Sequence, residues 1–171
     1  MIHLSERADK AMITSATVTL PIDKRIKSRL RVELDDGREA GIVLTRGEVL
    51  QHGDKLKSVS GDVVEVIAAE ETLSVVRCGD MRTFARACYH LGNRHVPVQI
   101  VTLATGAVYT DKSSNTSATT PQTDMGTVSY LHDHVLDDML KGFGLDVSIE
   151  QAPFNPEPGA YGGRHVHSHA H

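Results

Sequence analysis

The chain has 171 residues, enough for one sizeable core or two small domains. With 40% hydrophobic and 23% charged residues it has the composition of a folded globular protein and not of a disordered one. A formal charge of -4 gives no basic footprint for nucleic acid, and no apolar run approaches the roughly 20 residues that cross a bilayer. The opening Met1-Ile2-His3-Leu4-Ser5-Glu6-Arg7 lacks a basic stretch followed by an apolar block, so no secretion signal is read. The two cysteines, Cys78 and Cys88, form no Cys-x-x-Cys pair and are read as small core residues. Together these features point to a reduced, cytoplasmic protein.

Taken in chain order, the first seventy or so residues read as strands and turns. Leu30, Val32 and Leu34 alternate with Arg29, Arg31 and Glu33, the period of a half-buried strand. Asp36-Gly37 offers a tight turn, and 38–44 supplies the returning strand of a hairpin. His52-Gly53-Asp54-Lys55 and Ser60-Gly61-Asp62 are further turn signals. Val49-Leu50 and the β-branched run 63–67 fall between and after them, and a small all-β domain over 1–71 is expected.

From Thr72 the pattern changes. A strand at 73–77 precedes a helix at 81–93, in which Phe84, Cys88 and Leu91 share a face. Strands follow at 96–101, with Pro97 near its start, and at 127–131. A second helix is expected from about Asp133 to Gly142, its apolar face Val135, Leu136, Met139, Leu140 and Phe143, with Gly142 and Gly144 as the stop. The alternating segment 146–150 is a last strand. The order β-α-β-β-α-β is that of a ferredoxin-like sandwich, so the fold class is α+β in two domains, 1–71 and 72–154. Two segments stand outside this scheme. Residues 104–126 are rich in Ser, Thr and Asn and read as a mobile loop, and 155–171 open with Pro156 and Pro158 and read as a disordered, histidine-rich tail.

Ten histidines are many for a chain of this size, and most lie in its second half. His165, His167, His169 and His171 alternate with other residues, so an extended tail presents several imidazoles on one side. Imidazole suits Ni²⁺, Cu²⁺ and Zn²⁺, and a flexible string binds loosely and exchanges quickly. A purification tag is the bland reading, but such tags are contiguous and this string is interrupted by Val, Ser and Ala. His132 and His134 flank Asp133 where the second helix begins; Asp133 serves equally well as a helix N-cap or in a partial metal site with Asp137 and Asp138. His95 closes Gly92-Asn93-Arg94-His95 between helix and strand, a place where a lone histidine is more often structural than a ligand. His90 reads as a packing or exposed residue, and His3 and His52 carry no metal signal. There is no His-Glu-x-x-His, phosphate loop, Gly-x-Ser-x-Gly or close-set rigid ligand trio, so the chain reads as binding and releasing metal and not as an enzyme. A general divalent-metal buffer or store is the alternative.

Longer stretches sharpen this. Tyr89-His90-Leu91-Gly92-Asn93-Arg94-His95-Val96-Pro97-Val98-Gln99-Ile100, then His132-Asp133-His134-Val135-Leu136-Asp137-Asp138-Met139-Leu140, Phe143-Gly144-Leu145, Pro153-Phe154-Asn155-Pro156-Glu157 and Gly159-Ala160-Tyr161 resemble the UreE family of urease accessory proteins. The resemblance is dense over about 72–171 and looser before it. It implies a nickel metallochaperone: a β-rich domain that contacts partner proteins, and a ferredoxin-like domain that binds metal and forms a homodimer. It also implies that His95 from each subunit meets its mate at a two-fold axis around one Ni²⁺, with His132 and His134 as peripheral ligands. The tail histidines His165, His167, His169 and His171 add weaker ions or complete the central site. Zn²⁺ or Cu²⁺ can occupy the same imidazoles, and nickel as the cargo rests on the resemblance. The implied partners are the UreG GTPase and the urease activation complex, with no nucleic acid and no membrane. Segment 104–126 departs from the short connection the resemblance implies; it reads as an insertion that is passive or that covers the metal site with Asp111 or Asp124. Only neutral imidazole binds metal, so affinity is expected to fall below about pH 6.

Overall fold

A computed structural model describes residues 1–102 and 125–158. They fall into two units, Met1–Glu70 with 153–158, and 71–152. The first unit contains β1 (Ile2–Ala8), β2 (Ala16–Leu20), a one-turn helix α1 (Ile22–Arg25), β3 (Arg29–Glu33), β4 (Glu39–Val43), β5 (Lys55–Ser58) and β6 (Val63–Ala68). Its six strands form one sheet in the order β2-β6-β5-β1-β4-β3. The expected hairpin is β3–β4, antiparallel from Arg29 opposite Val43 to Glu33 opposite Glu39. Gly37 makes the turn at φ 87°, where a side chain is disfavoured. β1 runs parallel to β4 and antiparallel to β5, and β2 is parallel to β6, so the sheet is closed by long-range pairing that local patterns do not announce.

The core of this unit gathers Leu4, Val18, Ile42, Leu50, Leu56, Val64 and Val66, all fully buried. Leu50 belongs to the core although 49–50 lie outside any strand. The unit is mostly β and not all-β, because α1 interrupts it. Pro21 is its extended N-cap, with a carbonyl that accepts from Lys24 N and Arg25 N (both 3.1 Å), and the turn delivers Arg25 to the interior. The Arg25 guanidinium donates to Leu20 O (3.1 Å), Leu50 O (3.2 Å), Asn155 Oδ1 (3.1 Å) and Phe154 O. Phe154 is itself fully buried. The sequence reading began the tail at residue 155; its first described residue is held by a buried arginine, since a guanidinium's fixed fork of donors satisfies several carbonyls at once.

The second unit contains β7 (Glu70–Cys78), α2 (Met81–Gly92), β8 (Gln99–Thr102), β9 (Gly126–Leu131), α3 (His134–Gly142) and β10 (Val147–Pro153). Its sheet order is β10-β7-β9-β8, with β7 and β8 both antiparallel to β9. The element order is the one read from the hydropathy periods. Two boundaries move. β8 starts at Gln99 because Val96 N is used to close the end of α2 and Pro97 has no N–H to give to a ladder. β10 continues to Pro153, three residues beyond the expected end. Val76, Cys78, Ala87, Leu91, Val128, Tyr130, Leu140 and Leu145 form the core, with Phe84 and Cys88 packed against it. α3 buries the expected face at Leu136, Met139, Leu140 and Phe143 but not at Val135, which is 63% exposed, and Asp137, read with Asp138 as part of a partial metal site, is 3% exposed. No helix among the described residues is long and apolar enough to cross a membrane.

Candidate metal centre

Helix α2 starts on Asp80, whose carboxylate accepts from Thr83 N at 2.9 Å. Its C-terminal end places His95. Arg94 N donates to Leu91 O (3.1 Å), His95 N to Gly92 O (2.9 Å) and Val96 N back to Leu91 O (3.2 Å). The last two bonds are the nested pair of a Schellman closure, in which the residue after the cap turns left-handed and is usually glycine. Here it is His95, at φ 57°, the one non-glycine residue with positive φ among the described residues. Its side chain is exposed. A Cβ in this conformation costs about 1–2 kcal/mol, and such strain persists only where the surrounding structure holds the residue in place. The junction was legible from sequence; the left-handed cap was not, because a histidine stands where glycine would have signalled it.

His132 and His134 sit where β9 passes into α3. Asp133 is extended (φ -144°, ψ 114°) and caps the helix, its Oδ1 accepting from Val135 N (2.8 Å) and Leu136 N (3.2 Å). Of the two roles open to Asp133, the structure shows the cap. His134 is the exposed first residue of α3. His132 is anchored: its backbone N donates to Thr72 O (3.0 Å), and its Nδ1 lies 3.0 Å from Ser74 Oγ and 3.3 Å from Asp137 Oδ2.

Asp137 is therefore the inner partner of His132. Tyr130 Oη donates to its other oxygen, Oδ1, at 2.6 Å. Burial pushes the Asp137 carboxyl up, but hydrogen bonds from Ser74 and Tyr130 and the charges of His132 and Lys141 outweigh it and hold it below the usual carboxylate range. Burial, then the bond and charge of Asp137, push the Tyr130 phenol far above its ordinary value, so it keeps its proton and donates. Sequence reasoning missed Ser74 and Tyr130, and named Asp137 only beside Asp138 in a partial metal site. The available signal was Ser74 and Tyr130 inside apolar strand runs, where a hydroxyl needs a buried partner.

His90 stacks on Phe143 with ring centroids 4.1 Å apart and an interplanar angle of 20°, and His52 Nδ1 accepts from Ala68 N at 3.2 Å. The tail histidines His165, His167, His169 and His171, and Asp111 and Asp124 of the 104–126 segment, lie outside the described residues. Among the described residues no three His, Cys, Asp or Glu side chains converge. What His95, His132 and His134 offer is single imidazole donors at exposed positions, a donor type that suits Ni²⁺, Cu²⁺ and Zn²⁺.

Residues 3–69 match the UreE urease accessory protein N-terminal domain, and residues 71–114 and 119–171 match the UreE urease accessory protein C-terminal domain. Within the segment set apart as an insertion, the match leaves out only 115–118. The chain is 53% identical to a urease accessory protein UreE of Alkalilimnicola ehrlichii, over 95% of this chain and 86% of that protein. It is 51% identical to one of Pseudomonas putida, over 94% and 86%. It is 47% identical to one of Citrobacter koseri over the full length of both. With both domains matched in order and identities near one half along almost the whole sequence, the chain belongs to the UreE family of urease accessory proteins.

Proposed function

We propose that this protein is a nickel metallochaperone and not an enzyme: a cytoplasmic homodimer that binds Ni²⁺ and delivers it to apo-urease while the urease active site is assembled. The observation that carries this reading is His95, an exposed imidazole held in a strained left-handed cap within the stretch Gly92-Asn93-Arg94-His95. One imidazole holds a divalent ion weakly; two, brought together by a two-fold axis, hold it well enough to capture it and still exchange ligands one at a time. His132 and His134 act as peripheral ligands, and His165, His167, His169 and His171 gather further ions or complete the central site. Zn²⁺ and Cu²⁺ compete for the same nitrogens.

In this reading residues 72–154 are a ferredoxin-like, dimerising metal domain, supported by the β-α-β-β-α-β order and the β10-β7-β9-β8 sheet. Residues 1–71 engage partner proteins, and the UreG GTPase within the urease activation complex receives the ion. The test is urease activity in cells lacking their own UreE and grown at limiting nickel. Restoring this chain is expected to raise activity several-fold, and His95→Ala to remove most of that gain. Equal activity with and without the chain would overturn delivery, and leave a general metal buffer as the better reading.

A further inference from the structure

The neutral imidazole of a metal ligand has one lone pair to give, and which nitrogen carries it depends on where the proton sits. Around His132 three elements decide that question. Ser74 on β7 and Tyr130 on β9 stand opposite each other in the antiparallel ladder. Asp137 reaches the same spot from the first turn of α3, where its N–H makes an early helical bond to Asp133 O at 2.9 Å. Tyr130 donates to Asp137 Oδ1, which leaves Oδ2 facing His132 Nδ1 at 3.3 Å, with Ser74 Oγ 3.0 Å from the same nitrogen. An ionised carboxylate only accepts. A neutral His132 with its proton on Nδ1 therefore meets the carboxylate as an acceptor, while Ser74 Oγ can donate or accept at the same nitrogen.

We propose that Asp137, held by Tyr130 and Ser74, is the positioning residue of His132: it takes the Nδ1–H, fixes the ring, and leaves Nε2 as the outward lone pair for a borderline divalent cation. The proposal rests on reading His132 as a ligand. The geometry favours it over a purely structural role for the carboxylate. Asp137 is 3% exposed, and Tyr130 and Ser74 already supply it with donors from the sheet. Its remaining contact goes outward, to a side chain still 34% exposed. A histidine bound at one nitrogen by a buried carboxylate and open at the other is the usual outer-shell arrangement of a metal-bound imidazole. It follows that His132 and His134 are unequal: His132 is set in advance from within the fold, and His134 stands exposed at the helix start and joins a site that His132 has begun.

The test uses full-length, metal-free protein labelled with ¹⁵N-histidine, with His132→Gln to assign the signal and Zn²⁺ as a diamagnetic probe. In the unmutated protein at neutral pH, His132 is expected in the Nδ1–H form, and Zn²⁺ is expected to shift its Nε2. Asp137→Asn is expected to return the ring to a mixture of forms and to weaken Zn²⁺ at His132 by about 10–100-fold. An Nε2–H form in the unmutated protein overturns the proposal even where the variant fails to fold. A Zn²⁺ shift of Nε2 that Asp137→Asn leaves unchanged, in ring form and in affinity, overturns the positioning role alone. An Nε2 signal that ignores Zn²⁺ in the unmutated protein overturns the ligand reading and the proposal with it.

Discussion

At His95 local stability and the proposed ligand role pull in opposite directions. The Schellman closure of α2 calls for a glycine, and the chain puts an imidazole there at φ 57°. Replacing it by glycine removes left-handed strain of about 1–2 kcal/mol and adds back roughly 0.5–1 kcal/mol of chain entropy to the unfolded state. His95→Gly is therefore expected to raise the unfolding free energy of the metal-free protein by a few tenths to about 1 kcal/mol in urea titration, while His95→Ala, which keeps the Cβ, does not. A glycine variant less stable than the parent would show that the cap stores no strain. Residue-scale features were the least legible in the sequence. Asp137 was read with Asp138 as part of a partial metal site and not as a buried partner of His132, because its partners Ser74 and Tyr130 lie 63 and 7 residues away and meet it only once β7, β9 and α3 have packed.

The elements were more legible, since hydropathy period survives where individual contacts do not. Both longer helices, the β3–β4 hairpin and the strands of the second unit were read near their observed positions, because Leu91, Leu136, Leu140 and the alternation of 29–34 repeat a burial pattern. The one-turn α1 was not, as four residues contain no period, and β8 was started three residues early because Val96 was not yet known to be spent on the α2 cap. The start of α3 was read well: Asp133 caps it. Removing that cap leaves Val135 N and Leu136 N without their acceptor, so Asp133→Ala is expected to cost about 1 kcal/mol of stability in a thermal or urea melt. If Asp133 were instead mainly a metal ligand, the variant would lose metal affinity with its melt unchanged.

Across the whole molecule the carboxylates act together. The hydroxyls of Ser60 and Ser58, with Arg38, hold Asp62 low, and the side chain and N–H of Thr83 do the same for Asp80. For Asp35, burial pulls upward but the bonds from Thr17 and Thr19 outweigh it. Each such group is lower in the folded chain than the roughly 3.9 of a free aspartate, so the folded state binds fewer protons than the unfolded one in that range. Their stabilising contribution is complete above about pH 5 and is lost as pH falls through the folded values. The midpoint of urea unfolding is expected to change little from pH 7 to pH 5 and to drop steeply below about pH 4. A midpoint that rises on acidification would contradict these shifts. The two-unit arrangement was legible because the change from strand and turn signals to helical periods falls near residue 71, whereas Arg25, buried in the first unit and bonded to Phe154 and Asn155, was not, since no local pattern links positions so far apart in sequence.

The central claim is that His95 is the ligand around which the tight metal site is built. Calorimetric titration of Ni²⁺ into the full-length protein, into His95→Ala and into a chain ending at Tyr161 tests it most directly. The account predicts one tight ion per two chains in the full-length protein, its loss in His95→Ala, and the loss mainly of weaker ions on truncation. A tight site that survives His95→Ala would contradict the account and move the search for its ligands elsewhere.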